Sequence, residues 1–124
     1  MIRRLCQTFH KFFNRYIFHP FKHTLSGFKF AFRDRSFQLE IILGLVFYPL
    51  FIAKFRLSWR ILLLSVAYIS VLMMEMINCA IEKVVDLASP RINFFAKQAK
   101  DMASAAVSLA LCNLAMILLY CFFA

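Results

Sequence analysis

Glycine occurs twice and proline three times in these 124 residues, and only six side chains are acidic: Asp34, Glu40, Glu75, Glu82, Asp86 and Asp101. There is no Gly-rich loop, no GxxxxGK[ST] stretch and no kinase catalytic-loop pattern, so any nucleotide chemistry lies outside the soluble nucleotide-binding folds. The four cysteines (Cys6, Cys79, Cys112, Cys121) form no CxxC pair and no framework spacing, so neither disulfides nor zinc is assigned. His10, His19 and His23 lack metal-ligand spacing and read as interfacial or solvated side chains. The first 35 residues hold no apolar core long enough for a cleavable signal, and none is expected.

What is abundant is apolar: 63% of the chain is hydrophobic. That is too apolar for an ordinary soluble protein and too short to enclose a large core alone, so one small membrane domain, oligomeric by preference, is the expectation. Against the few acids stand 15 Lys and Arg, a net charge of +9. Eight of these cations precede Phe37 on a segment feeding a hydrophobic one, which fits a membrane surface rich in anionic lipid and gives no reason to expect nucleic acid.

Residues 1–23 form a basic aromatic arm broken by Pro20. The remainder, 24–124, reads as one membrane domain: an amphipathic interfacial helix over about 24–36, then spans over about 37–54, 58–86 and 100–123. The first span is the weakest, since its apolar core, Ile41 to Ala53, reaches bilayer length only if it extends back to Phe37 and Lys54 snorkels. The second carries one charge, Glu75, between Ile61 and Ile81 and is ended at Ser89-Pro90. The third is uncharged from Met102 onward. The fold expected is all-α, with three transmembrane helices and an interfacial N-terminal helix. Three crossings place the arm and the 83–100 segment on one side with twelve cations, against three in the 54–60 loop. By the positive-inside rule the N-terminus is cytoplasmic and the chain is a multi-pass protein of the inner membrane.

Glu82 and Asp86 follow Glu75 by seven and eleven positions, offsets that return to within roughly 20° of the same direction on a helix. A one-sided carboxylate column thus starts inside the apolar run and climbs out of it, with Asn78 one turn from Glu75. A carboxylate at membrane depth costs at least about 2.5 kcal/mol on insertion scales, so a task for Glu75 is expected. Burial disfavours its charged form and suits a general base; the competing reading is an interhelical hydrogen-bonding group. Glu82 and Asp86 either hold a hard cation such as Mg²⁺ or solvate a helix end. Asn78 either orients Glu75 or donates between helices. Lys100-Asp101 either caps a helix start or contacts phosphate.

Glu75-Met-Ile-Asn78-Cys-Ala80-Ile81-Glu82-Lys-Val-Val85-Asp86 resembles the E-x-x-N-x-A-I-E-x-x-V-D signature of the small prokaryotic integral-membrane lipid kinases, the diacylglycerol kinases and undecaprenol kinases. Ala99-Lys100-Asp101-Met102-Ala103-Ser104-Ala105-Ala106-Val107 looks like that family's last-helix start, and the resemblance covers roughly residues 24–124. It implies a homotrimer with active sites between subunits, a membrane lipid substrate, and ATP with Mg²⁺. Carried over position by position, it makes Glu75 the general base removing the lipid hydroxyl proton. Glu82 and Asp34 bind Mg²⁺, and Asn78, Asp86, Lys100 and Asp101 line the nucleotide and phosphate region. The chain departs from the pattern at Asp34-Arg-Ser-Phe37, where the family usually has E-x-x-F, and at Pro90-Arg91-Ile92-Asn93, where many relatives carry a His. Glu40 and the Met102-Ala103-Ser104 run look more like the diacylglycerol kinase branch, whereas Ile81 to Pro90 is equally at home among undecaprenol kinases. The reading from another class is a non-enzymatic oligomeric membrane protein, which has no need of Glu82, Asp86 and Lys100-Asp101 at one membrane face. A carrier is disfavoured by three spans without a discontinuous helix.

Overall fold

The computed structural model describes residues 19–55, 58–89, 91 and 93–123; most of the basic aromatic arm (as far as residue 18), Arg56 of the first connection and the expected helix-stopper Pro90 lie outside the described residues. Every regular element among the described residues is an α-helix: α1 (His19–Ala31), α2 (Arg35–Phe55), α3 (Trp59–Ala88) and α4 (Phe94–Phe123). Two compact units are distinguished, one ending at Arg33 and the other comprising Asp34–Ala124.

In the first unit α1 begins at His19, and Pro20 falls in its first turn. The N–H that proline lacks has no helical partner there, so Pro20 starts the helix instead of breaking the chain. The helix ends at Ala31; the N–H of Phe32 still donates to the Phe28 carbonyl (2.9 Å), and that of Arg33 to the Phe30 carbonyl (3.1 Å). Exposed rings of Phe21, Phe28 and Phe30 among cations, with the Arg33 guanidinium 5.8 Å from the Phe30 centroid, suit an interfacial helix.

The second unit opens with a cap. The Asp34 carboxylate accepts the N–H of Ser36 (3.1 Å), and its carbonyl accepts the N–H of Gln38 (3.1 Å). Asp34 is therefore the N-cap of α2, which starts at Arg35, two residues ahead of the expected Phe37. At 1.5 Å per residue the 21-residue α2 is about 31 Å long, the thickness of the hydrocarbon core. Pro49 lies within it at the loss of one backbone hydrogen bond. Lys54 sets its ammonium 3.8 Å from the centroid of Phe122 on α4.

The helices α3 and α4, 30 residues each, reach about 45 Å and extend beyond a bilayer core. α3 packs against both α2 and α4, and its buried positions explain how. Ile61, Leu64, Ala67, Val71, Glu75 and Cys79 recur every three or four residues, a single stripe on one face. The outside is as apolar as the inside: Leu45, Leu62 and Leu109 are 73%, 66% and 72% exposed. Only lipid or further apolar surface satisfies such faces, and α2, α3 and α4 are each long and apolar enough to cross a membrane. This is an all-α membrane protein.

α4 starts at Phe94, ahead of the expected residue 100. Asn93 is its cap, its side-chain oxygen accepting the Phe95 N–H (3.0 Å) and its carbonyl the Lys97 N–H (3.0 Å). Lys100 and Asp101 stand about two turns inside the helix, so Asp101 does not cap it.

Candidate active site

The stripe that buries α3 is apolar from Ile61 to Val71 and then delivers Glu75, which is 4% exposed. One turn on, Cys79 lies on the same face and is equally buried. From the start of α2 comes Asp34, half-buried, whose cap to Ser36 fixes where its carboxylate sits. One ligand atom each of Asp34, Glu75 and Cys79 lies within 4.8 Å of the others. The side chain of Ser36 lies close to the Glu75 carboxylate. Two acids are therefore gathered at the N-terminus of α2, whose partial positive charge favours anions.

Beyond this cluster the column continues. Asn78 has its side-chain oxygen buried without a hydrogen-bond partner among the described residues. Glu82, half-buried, is close enough to act electrostatically on Glu75 on one side and on Lys100 on the other. Asp86 accepts from the Lys100 ammonium at 2.6 Å, tying α3 to α4. From Glu75 to Asp86 the column rises about 16 Å along the helix axis.

Where α3 hands over to α4, an open groove of about 280 Å³ is lined by Asp86, Ser89, Arg91, Asn93, Lys97, Lys100 and Asp101, with Val85 and Ala96. Its cations suit phosphate and its acids suit a metal-bound or hydroxyl-bearing ligand. The Ser89 hydroxyl donates to the Arg91 carbonyl (3.0 Å) and shapes the turn at its edge. A second cavity of about 320 Å³, among Leu43, Phe47, Phe51, Leu64, Leu114 and Leu118, is apolar and bears no carboxylate or amine, and the phenols of Tyr48 and Tyr68 at its wall are engaged in hydrogen bonds.

Of the seven residues singled out from sequence, the single chain brings Asp34 to Glu75, and Asp86, Lys100 and Asp101 to the groove. Glu82 stands between the two places, and Asn78 lies on α3 beside the first. In the single chain the ligand atoms grouped with Asp34 are those of Glu75 and Cys79, and Glu82 is not among them. Sequence reasoning passed over Cys79, although its position four residues after Glu75 puts the two on one helical face. It also passed over Ser36, Arg91 and Lys97, whose relevance depends on contacts between helices.

A family model described as prokaryotic diacylglycerol kinase matches residues 22–122. Among curated relatives, the diacylglycerol kinase of Haemophilus influenzae is 33% identical over 92 residues, covering 73% of this chain and 78% of the relative. That of Helicobacter pylori is 39% identical over 93 residues, covering 73% and 71% respectively. That of Pseudomonas aeruginosa is 36% identical over 91 residues, covering 72% and 73%. No solved structure shows a significant match.

Proposed function

The chain belongs to the prokaryotic diacylglycerol kinase family, and from that membership and the geometry above we propose that it transfers the terminal phosphoryl group of ATP to the free hydroxyl of diacylglycerol, giving phosphatidic acid. The observation that carries the reading is Glu75, a carboxylate 4% exposed at the end of an apolar stripe, from which a column of acids leads to a cationic groove.

In this reading the lipid hydroxyl approaches Glu75 from the bilayer, and Glu75 takes its proton as the oxygen attacks the terminal phosphorus of ATP and the bond to the bridging oxygen breaks, releasing ADP. Asn78, one turn away, orients the reacting groups. Lys100 and Asp101, with Asp86, hold the nucleotide at the groove. The donor chemistry of the carboxylates fits Mg²⁺, a hard cation that takes oxygen ligands. Asp34 and Glu82, which the single chain does not group together, would hold it across a subunit interface, and it would supply neutralisation of phosphate charge. Phosphoryl transfer asks for positioning and charge compensation more than covalent work by the protein, which suits a site made of acids, an amide and a few cations.

The oxygen of Asn78, buried and without a hydrogen-bond partner among the described residues, and the exposed apolar faces support an oligomer, and we assign a homotrimer with sites between subunits. The distribution of cations, twelve against three, supports an inner-membrane location with the N-terminus and the groove on the cytoplasmic side.

The test is a side-by-side assay in mixed micelles of purified protein, ATP and Mg²⁺ with diacylglycerol or undecaprenol. Faster transfer to diacylglycerol is expected. Preference for undecaprenol would move the chain to the other branch, and transfer to neither would defeat the reading.

A further inference from the structure

Cys79 is the member of the buried cluster for which the proposed phosphoryl transfer has no use. Its sulfur and one carboxylate oxygen each of Glu75 and Asp34 lie within 4.8 Å of one another. Two of the three donors are buried, Glu75 at 4% and Cys79 at 5% exposure, unlike the solvated acid clusters of a protein surface. The third is positioned by its helix cap and, being half-buried, leaves a way in. A separate observation marks the same stretch of α3: the side-chain oxygen of Asn78, adjacent in sequence to Cys79, is buried and has no hydrogen-bond partner among the described residues.

The donor set selects the ion. Mg²⁺ takes oxygen ligands and keeps its water, so a thiol adds nothing to its binding. Zn²⁺ accepts thiolate and carboxylate together, with Zn–S near ~2.3 Å and Zn–O near ~2.1 Å, which places tetrahedral ligand atoms about 3.4–3.6 Å apart. Closing the present triangle onto such an ion needs shifts of about an ångström, within reach of side-chain torsions.

We propose that Asp34, Glu75 and Cys79 form an inhibitory site for a thiophilic divalent cation of the Zn²⁺ type. On binding, the Cys79 thiol releases its proton to solvent and its sulfur lone pair goes to the metal. The Glu75 oxygen is committed to the metal as well and no longer accepts a proton from the lipid hydroxyl. Asp34 is shared with the proposed Mg²⁺ site, so the two cations compete. Inhibition rests on the kinase reading above, whereas binding does not.

Cd²⁺ is the probe for binding, because a cadmium–thiolate bond gives a charge-transfer band in the ultraviolet. The full chain in detergent micelles is titrated with Cd²⁺, and phosphoryl transfer is measured against Zn²⁺ at fixed excess Mg²⁺. The expected result is a band that persists in Cys112→Ser and is lost in Cys79→Ala. The Zn²⁺ concentration for half-inhibition should rise more than about tenfold in Cys79→Ala, relative to that variant's own basal rate, the scale on which even an outer-shell partner matters. A band that survives Cys79→Ala, or unchanged Zn²⁺ sensitivity, overturns the proposal. Should Cys79→Ala not fold, Asp34→Asn keeps the cap and should weaken the Cd²⁺ titration; an unweakened titration is equally fatal. A Cys79-dependent band in protein that phosphorylates no lipid would defeat the kinase reading alone, and an active enzyme without the band would defeat this site alone.

Discussion

The phenol of Tyr68 on α3 donates to the backbone carbonyl of Glu40 on α2 at 2.9 Å. It comes so close because residue 44, one turn along α2, is glycine: a Cβ there would overlap the Tyr68 hydroxyl and ring. A second bridge, Tyr48 hydroxyl to Ser65 hydroxyl at 2.6 Å, shows that α2 and α3 run antiparallel. Stepping six residues back along α2 and seven forward along α3, about 9 and 10.5 Å, brings Asp34 opposite Glu75. The register set at Tyr68 therefore decides which acids meet at the site.

Replacing Gly44 by alanine should destabilise the protein, even though alanine favours a helix by about 1 kcal/mol over glycine. The added methyl meets an aromatic ring that can yield only by leaving Glu40, and overpacking of that kind costs about 1–3 kcal/mol before propensity is credited. Tyr68→Phe removes only an interhelical hydrogen bond, worth about 0.6 kcal/mol in membranes. Thermal unfolding in micelles should rank wild type above Tyr68→Phe and Tyr68→Phe above Gly44→Ala. Gly44→Ala as stable as wild type would show that the contact does not set the register.

Asp34 has two jobs that substitution can separate. Asparagine caps a helix as well as aspartate does, so Asp34→Asn should keep the thermal midpoint while raising the Mg²⁺ concentration needed for half-maximal activity. Asp34→Ala should lose about 1 kcal/mol of stability in addition. Equal Mg²⁺ requirements for wild type and Asp34→Asn would remove Asp34 from the metal site.

The Lys100–Asp86 pair is short, at 2.6 Å, yet both side chains are open to solvent, 38% and 67% exposed. An exposed pair is screened and contributes little to stability. Lys100→Met and Asp86→Asn should therefore unfold at the wild-type temperature while kcat/KM for the nucleotide falls more than about tenfold, the usual scale for losing a charged hydrogen bond. A drop in midpoint without a drop in kcat/KM would make the pair structural.

Long apolar runs and a helical period are local properties, and what depended on them was legible in the chain. The spans containing Glu75 and following Met102 are of this kind, as is the one-sided column Glu75–Glu82–Asp86. Helix starts were less so, because a cap is a single hydrogen bond between near neighbours. Asp34 opens α2, and Asn93 starts α4 early enough to carry Lys100 and Asp101 into the helix. Least legible was the meeting of Asp34 with Glu75 and Cys79. It depends on a register that Tyr68 and Gly44 set across two helices, and no repeat along either helix encodes it.

Glu75 carries the central claim, and Glu75→Gln tests it most directly, since the amide keeps the shape of the acid and cannot take a proton. In mixed micelles with saturating diacylglycerol, ATP and Mg²⁺, the variant should unfold near the wild-type temperature while turnover falls by at least about 10²-fold, the lower range for a general base. A folded variant that turns over at the wild-type rate would contradict the account.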